Sequence, residues 1–296
     1  MDFAPLIDPA ALATLLGTRA SAREVVVLDC RFDLAAPDAG REAYRRAHIA
    51  GARYLDLNRD LSAPVSPSSG RHPLPDVRRL AARLAALGVG RDTAAVAYDE
   101  SNGSFAARAW WLLRWLGHRK AAVLDGGFKA WLAQGGPTET GESPQEPAGE
   151  SARGAAAESS DASADAGAVI ATGRELAALL ENPQYLLVDA RAPERFMGTV
   201  EPIDPVAGHV PGAVNQPFAA NLREDGRFLP RAELRKRWLE RLGGKDPGNV
   251  IAMCGSGVTA CHNLLALELA GLPGARLYAG SWSEWIRDPE RPVARG

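Results

Sequence analysis

The chain repeats itself, and that constrains its fold more than any other feature. Val27-Leu28-Asp29-Cys30-Arg31 is answered by Leu187-Val188-Asp189-Ala190-Arg191. Ala47-His48-Ile49-Ala50-Gly51-Ala52 is answered by Gly208-His209-Val210-Pro211-Gly212-Ala213. Late in each half, Gly126-Gly127-Phe128-Lys129-Ala130-Trp131-Leu132 matches Gly280-Ser281-Trp282-Ser283-Glu284-Trp285-Ile286. Three matches in the same order, at a nearly constant offset, mean a duplicated unit. The length of 296 residues agrees, since one core rarely grows so large. Between the halves, residues 138–167 are mainly Ala, Ser, Glu, Gly, Pro and Asp, with almost no large apolar side chain. Such a stretch cannot bury enough surface to fold and reads as a linker. The expected domains are therefore 1–137 and 168–296.

Each half alternates short apolar runs with helical spacing. Val25–Asp29, Ala94–Tyr98 and Ala121–Leu124 read as buried strands, and Val77–Leu87 and Phe105–Leu116 as helices, with Gly88 and Gly117 as C-caps. In the second half the strands fall at Tyr185–Val188, Asn249–Met253 and Ala275–Tyr278, and the helices at Arg231–Leu242 and Thr259–Ala270. Strands alternating with helices predict an α/β fold, two parallel sheets flanked by helices. Ligands of such sheets bind beyond the carboxyl ends of the strands.

That is where Cys254 falls, directly after the predicted strand Asn249–Met253. Gly255-Ser256-Gly257-Val258 then turns the chain into a helix beginning near Thr259. Glycines at 255 and 257 permit a tight turn whose amides point inward as an anion-binding nest, and the helix N-terminus adds positive charge. A thiol placed there is expected to act as a thiolate nucleophile, and the same amides can hold a persulfide. A cysteine after a strand is often a buried apolar residue and nothing more. The strand–Cys–Gly–x–Gly–helix arrangement moves the reading to function. Cys30 and Cys261 lack it and read as buried bystanders.

Composition removes other classes. A net charge of −2 gives no general attraction to nucleic acid or anionic membrane. No run approaches the roughly 18 apolar residues of a membrane span, and the N-terminus lacks the basic stretch of a signal peptide. Three cysteines, few and odd in number, argue against a disulfide framework and for a reducing cytoplasm.

The run CGSGVTA resembles the active-site loop of the rhodanese superfamily, specifically its tandem-domain 3-mercaptopyruvate sulfurtransferases. Gly-His-Val-Pro-Gly-Ala at 208–213, Gly103-Ser104-Phe105 with Arg108-Ala109-Trp110-Trp111, Gly126-Gly127-Phe128 and Gly280-Ser281-Trp282 belong to the same resemblance. It implies two rhodanese-like domains, of which only the C-terminal one is catalytic, with the active site in the cleft between them. It also implies no metal or organic cofactor, a small anionic sulfur donor, and a thiol, cyanide or thioredoxin-like acceptor. The repeat gives its own reason for one silent domain. Tyr98-Asp99 occupies the place of Met253-Cys254, and a carboxylate cannot accept a sulfane sulfur.

The resemblance makes Arg195 the clamp for the donor's anionic end, and links His72 with Ser256 in a Ser–His–Asp proton relay. Gly255, Gly257, Val258 and Thr259 line the loop, and Phe105 and Trp282 are expected as apolar walls beside the persulfide. Arg31 and Arg191, and likewise His48 and His209, recur in both halves and so read as structural. Two positions depart from the family pattern. The relay aspartate aligns with Asn58, flanked by Asp56 and Asp60. A second substrate arginine aligns with Asp204. Thiosulfate-type members often lack that arginine, but many carry two basic residues after the cysteine, where this chain has Gly255 and Ser256. The loop favours 3-mercaptopyruvate and position 204 favours thiosulfate; the loop, nearer the nucleophile, carries more weight. A persulfide carrier without turnover is the non-enzymatic alternative. A cysteine phosphatase is not, because its Cys-x5-Arg loop would need arginine at Ala260.

Overall fold

The computed structural model describes residues 3–17, 24–142 and 169–296. Among these, packing divides the chain into two compact units. One takes the residues up to 63, those from 75 to 142, and Glu224–Arg227. The other takes Pro64–Leu74 together with 169–223 and 228–296. His72 and Arg71 thus belong to the unit that carries Cys254.

The first unit runs β1 (Leu6–Ile7), α1 (Pro9–Gly17), β2 (Val25–Asp29), α2 (Ala39–Arg46), β3 (His48–Ile49), β4 (Arg53–Tyr54), α3 (Val77–Ala86), β5 (Ala94–Tyr98), α4 (Ala106–Trp115), β6 (Ala121–Leu124), α5 (Gly127–Ala133) and β7 (Thr138–Glu139). Its sheet has the order β1-β6-β5-β2-β4, with every pair parallel. The central strand β5, Ala-Ala-Val-Ala-Tyr, is buried at every position, as a strand covered on both faces must be. Asp76 caps α3 by accepting from Arg79 N–H at 2.9 Å, and Gly88 follows its end at φ +89°. Leu12, Val27, Ile49, Val96, Phe128 and Trp131 form the core.

The second unit runs α6 (Gly173–Leu179), β8 (Leu186–Asp189), α7 (Pro193–Met197), β9 (Val214–Asn215), α8 (Arg231–Leu242), β10 (Val250–Met253), α9 (Thr259–Leu269), β11 (Arg276–Leu277) and α10 (Ser281–Trp285). Its parallel sheet, β11-β10-β8-β9, repeats the order of the first. The place of β1 shrinks to a single parallel bridge, Ile170 to Leu277. The antiparallel β3–β7 pair likewise shrinks to the bridge His209–Ala294. Leu187, Val210, Ile251, Met253, Tyr278, Trp282 and Trp285 form this unit's core. Trp131 and Trp285, matched in the repeat, are both fully buried.

The doubled α/β reading holds, with element ends shifted by a residue or two. Of the stretch expected as linker, residues 143–167 lie outside the described residues. Its first residues, Thr138–Glu139, instead pair with β3, which offers an otherwise open strand edge. Glu142 then accepts from Arg41 at 3.0 Å and Arg45 at 2.8 Å. Polar composition hid these contacts because they bury little apolar surface.

Candidate functional site

Cys254 directly follows β10 and is buried to 2% exposure. Its surroundings are built by α10. The Trp282 N–H donates to the Cys254 carbonyl at 3.0 Å, and the Ser283 N–H to that of Gly255 at 2.9 Å. The Cys254 N–H donates to Ser281 Oγ at 3.0 Å, and that hydroxyl donates to the Tyr278 carbonyl at 2.9 Å. The Gly257 N–H points at Cys254 Sγ, 3.1 Å away. Val258 leads into α9, which begins at Thr259.

The two loop glycines have different causes. Gly257 sits at φ +76°, and a Cβ there would press into the Ala279 carbonyl. Gly255 has an ordinary φ; what it provides is space, since a Cβ would lie 2.8 Å from an Arg71 nitrogen.

Ser256 Oγ and His72 Nδ1 meet at 2.7 Å, and both residues are buried. The expected serine–histidine pair is therefore present. Asp56 and Asp60, the candidates to extend it, have bonds in their own turn. Asp56 accepts the N–H groups of Asn58 and Arg59 at 2.8 and 2.9 Å, and Asp60 accepts from Asp56 N–H and Arg83, each at 2.9 Å.

Arg195, on α7, donates through Nη2 to Glu201 at 2.8 Å and to Asp204 at 3.1 Å. Its terminal nitrogens stand 3.5 Å from where a Gly255 Cβ would be, which sets the guanidinium beside the loop. Arg71 bonds the other oxygen of Asp204. Burial pushes Glu201 up, but the Arg195 hydrogen bonds and the amides of Asp204 and Ile203 outweigh it and hold its carboxyl below the usual range. Asp204 goes the other way: burial and the Glu201 charge raise it against the pull of Arg71 and Arg195.

Trp282, expected as a wall beside the sulfur, packs its ring into the core of the second unit. The ring is fully buried, its Nε1–H donates to Val206 O at 2.9 Å, and Arg191 stacks on it at 4.8 Å. An aromatic at this position of the repeat packs inward, while its backbone N–H holds the Cys254 carbonyl. Phe105 lies in the first unit, edge-on to Phe32 at 5.6 Å, with its N–H on Asp99. The residues read as structural behave alike in both units. Arg31 and Arg191 pair with Asp29 and Asp189 at 2.7 Å, and His48 and His209 each bond a backbone carbonyl at 2.8 Å.

Asp99 fills the nest of the first unit. Its carboxylate takes the N–H groups of Ser101 (3.2 Å), Gly103 (2.9 Å), Phe105 (2.8 Å) and Ala106 (3.2 Å). Burial raises its affinity for a proton while these four amides oppose the rise. Sequence reading missed Ser281, Glu201 and Arg71. The signal for Ser281 was its pairing with Gly127 in the repeat. Arg71 stood next to His72 without a pattern to mark it.

Comparisons with known proteins point to one family. The family model of the rhodanese-like domain matches residues 11–134 and 172–288. A Pseudomonas aeruginosa protein named "Probable 3-mercaptopyruvate sulfurtransferase" is 51% identical over 286 residues, covering 96% of this chain and 97% of that one. The thiosulfate sulfurtransferase of Cricetulus griseus is 36% identical over 280 residues, covering 91% and 88%. Among solved structures, SseA from Escherichia coli, a 3-mercaptopyruvate sulfotransferase, matches with a TM-score of 0.76 at 30% identity over 94% of this chain and 99% of that one. The chain belongs to the rhodanese family, as a tandem of two rhodanese-like domains.

Proposed function

We propose that the chain is a sulfurtransferase that moves sulfane sulfur from 3-mercaptopyruvate to a thiophilic acceptor through a persulfide on Cys254. The observation that carries this reading is the Cys254 sulfur with the Gly257 N–H on it at 3.1 Å, in a loop whose Ser256 meets His72 at 2.7 Å. The Cys254 thiolate attacks the donor sulfur and forms the S–S bond. The donor's C–S bond breaks, and its electron pair leaves on the three-carbon fragment as the enolate of pyruvate. The proton of the donor thiol passes to that carbon, with Ser256 and His72 as the relay, leaving pyruvate and an anionic persulfide. Loop amides stabilise the outer sulfur. Arg195 holds the donor carboxylate. A dithiol, a thioredoxin-like protein or cyanide then takes the sulfur and restores the thiolate. Three cysteines, few and odd in number, support a reducing compartment such as the cytoplasm.

Among the described residues no helix is long and apolar enough to cross a membrane. Parallel assays with 3-mercaptopyruvate and thiosulfate test the donor; a thiosulfate kcat/KM tenfold or more above that for mercaptopyruvate would overturn it. Cys254→Ser should abolish turnover with either donor, and a fully active variant would sink the mechanism. Arg195→Ala should raise KM for both donors.

A further inference from the structure

Two guanidinium groups converge on one backbone position of the catalytic loop. A Cβ built on Gly255 would lie 2.8 Å from Arg71 Nη2 and 3.5 Å from both terminal nitrogens of Arg195. Arg71 reaches this place from the Pro64–Leu74 segment of the same unit. Its own N–H donates to Ser283 Oγ at 3.0 Å, so its backbone is fixed to α10, the helix whose first residue holds Cys254. Gly70 sits so close to the Gly280 carbonyl that no Cβ would fit between them. Asp204 ties the two arginines together, one oxygen taking Arg71 Nη1 and the other Arg195 Nη2. Arg71 Nε is buried and has no hydrogen-bond partner. A buried guanidinium N–H without an acceptor is unfavourable, and the planar fork that carries it matches a carboxylate.

We propose that Arg71 is a second substrate-binding arginine of this site, receiving the carboxylate of a 2-oxo acid donor beside Arg195, and that Asp204 is the positioning residue for both. The proposal rests on the reading that Cys254 takes sulfur from 3-mercaptopyruvate. It also gives the departure at position 204 and the glycine at position 255 one cause. Position 204 carries a carboxylate that anchors an arginine brought from another segment. Glycine at position 255 leaves free the volume that this arginine enters, since a Cβ there would come within 2.8 Å of Arg71 Nη2. Charge favours the same donor class. Arg71, Arg191 and Arg195 face Asp189, Glu201 and Asp204, so the cluster is balanced before a donor arrives. A monocarboxylate shifts that balance by one charge and a thiosulfate dianion by two.

The test compares Arg71→Ala, Arg71→Lys, Gly255→Ala and Asp204→Asn in the full chain. Kinetics are read with 3-mercaptopyruvate, and pyruvate binding is read by calorimetry in a Cys254→Ser background. Arg71→Ala should raise KM and the pyruvate Kd by about tenfold or more, with kcat changed much less. Arg71→Lys, a point charge without the fork, should recover part of that loss. Gly255→Ala should push the guanidinium aside and repeat the KM increase, and Asp204→Asn should raise KM by a smaller factor. Unchanged KM and pyruvate Kd in Arg71→Ala would overturn the proposal. If that variant fails to fold, unchanged values in Arg71→Lys and Gly255→Ala would overturn it equally. Absence of mercaptopyruvate turnover in the parent chain would instead overturn the donor assignment, and pyruvate binding would still decide the role of Arg71.

Discussion

Ser281 is the one non-glycine among the described residues with a positive φ, +53°, and its counterpart in the first unit is Gly127 at +58°. A side chain in that region costs about 1–2 kcal/mol. What Ser281 gives in return is an acceptor for the buried Cys254 N–H at 3.0 Å. Replacing it separates the two effects. Ser281→Gly relieves the backbone but leaves the amide without its acceptor; Ser281→Ala keeps the strain and loses the acceptor as well. Both variants should lose turnover through kcat, because the amide lies on the nucleophile itself. In urea unfolding, Ser281→Ala should be the less stable of the two by about 1 kcal/mol. A Ser281→Gly protein with undiminished kcat would remove Ser281 from the positioning of Cys254. Cys254 itself was legible in sequence because a strand, two glycines and a helix start surround it. Ser281 was visible as a letter in the repeat, but its φ arises only when α10 docks on the loop.

Elements were legible where burial makes a pattern. β2, β5, β6 and β10 are apolar runs of four or five residues, and each appears where it was expected. β3, β7 and β9 are two residues long, too short for any period to show. The turn after α7 was illegible for another reason: its order comes from side-chain pairing. Glu201 there accepts from Arg195 and from the N–H groups of Ile203 and Asp204 at 3.0 and 3.1 Å. Those bonds overcome the opposing effect of burial and hold the folded carboxyl below its ordinary value of 4.5. A depressed folded value means the stabilisation is present in full above about 4.5 and is lost as pH falls through the folded value. Between about pH 7 and about pH 3, the Tm of Glu201→Gln should therefore fall less steeply than that of the parent chain. The variant should be less stable at neutral pH, and the two should converge in acid. Parallel Tm curves would mean that Glu201 does not titrate with folding.

Across the whole molecule, the duplication supplies an internal control for what makes a site. Both units hold the residue after the central strand in the same frame. Phe128 N–H bonds Asp99 O at 2.8 Å and Lys129 N–H bonds Glu100 O at 2.9 Å, just as Trp282 and Ser283 bond Cys254 and Gly255. The frame alone therefore does not make catalysis. In the first unit four amides are spent on the Asp99 carboxylate, and the position matching Arg195 is Ala35. Placing a thiol there should not restore chemistry. In a Cys254→Ser background, Asp99→Cys should leave turnover of 3-mercaptopyruvate below about 1% of the parent, because attack without a carboxylate clamp and a proton relay loses several powers of ten. Asp99→Cys alone should keep Cys254 turnover while lowering the stability of its own unit by about 1–3 kcal/mol, the cost of leaving buried amides unmatched. Cyanide-labile sulfur, measured after incubation with the donor, should appear on Cys254 and not on the introduced thiol. Substantial turnover in the double variant would show that a cysteine in the shared frame suffices, and that the arginines and the Ser256–His72 pair of the second unit are dispensable.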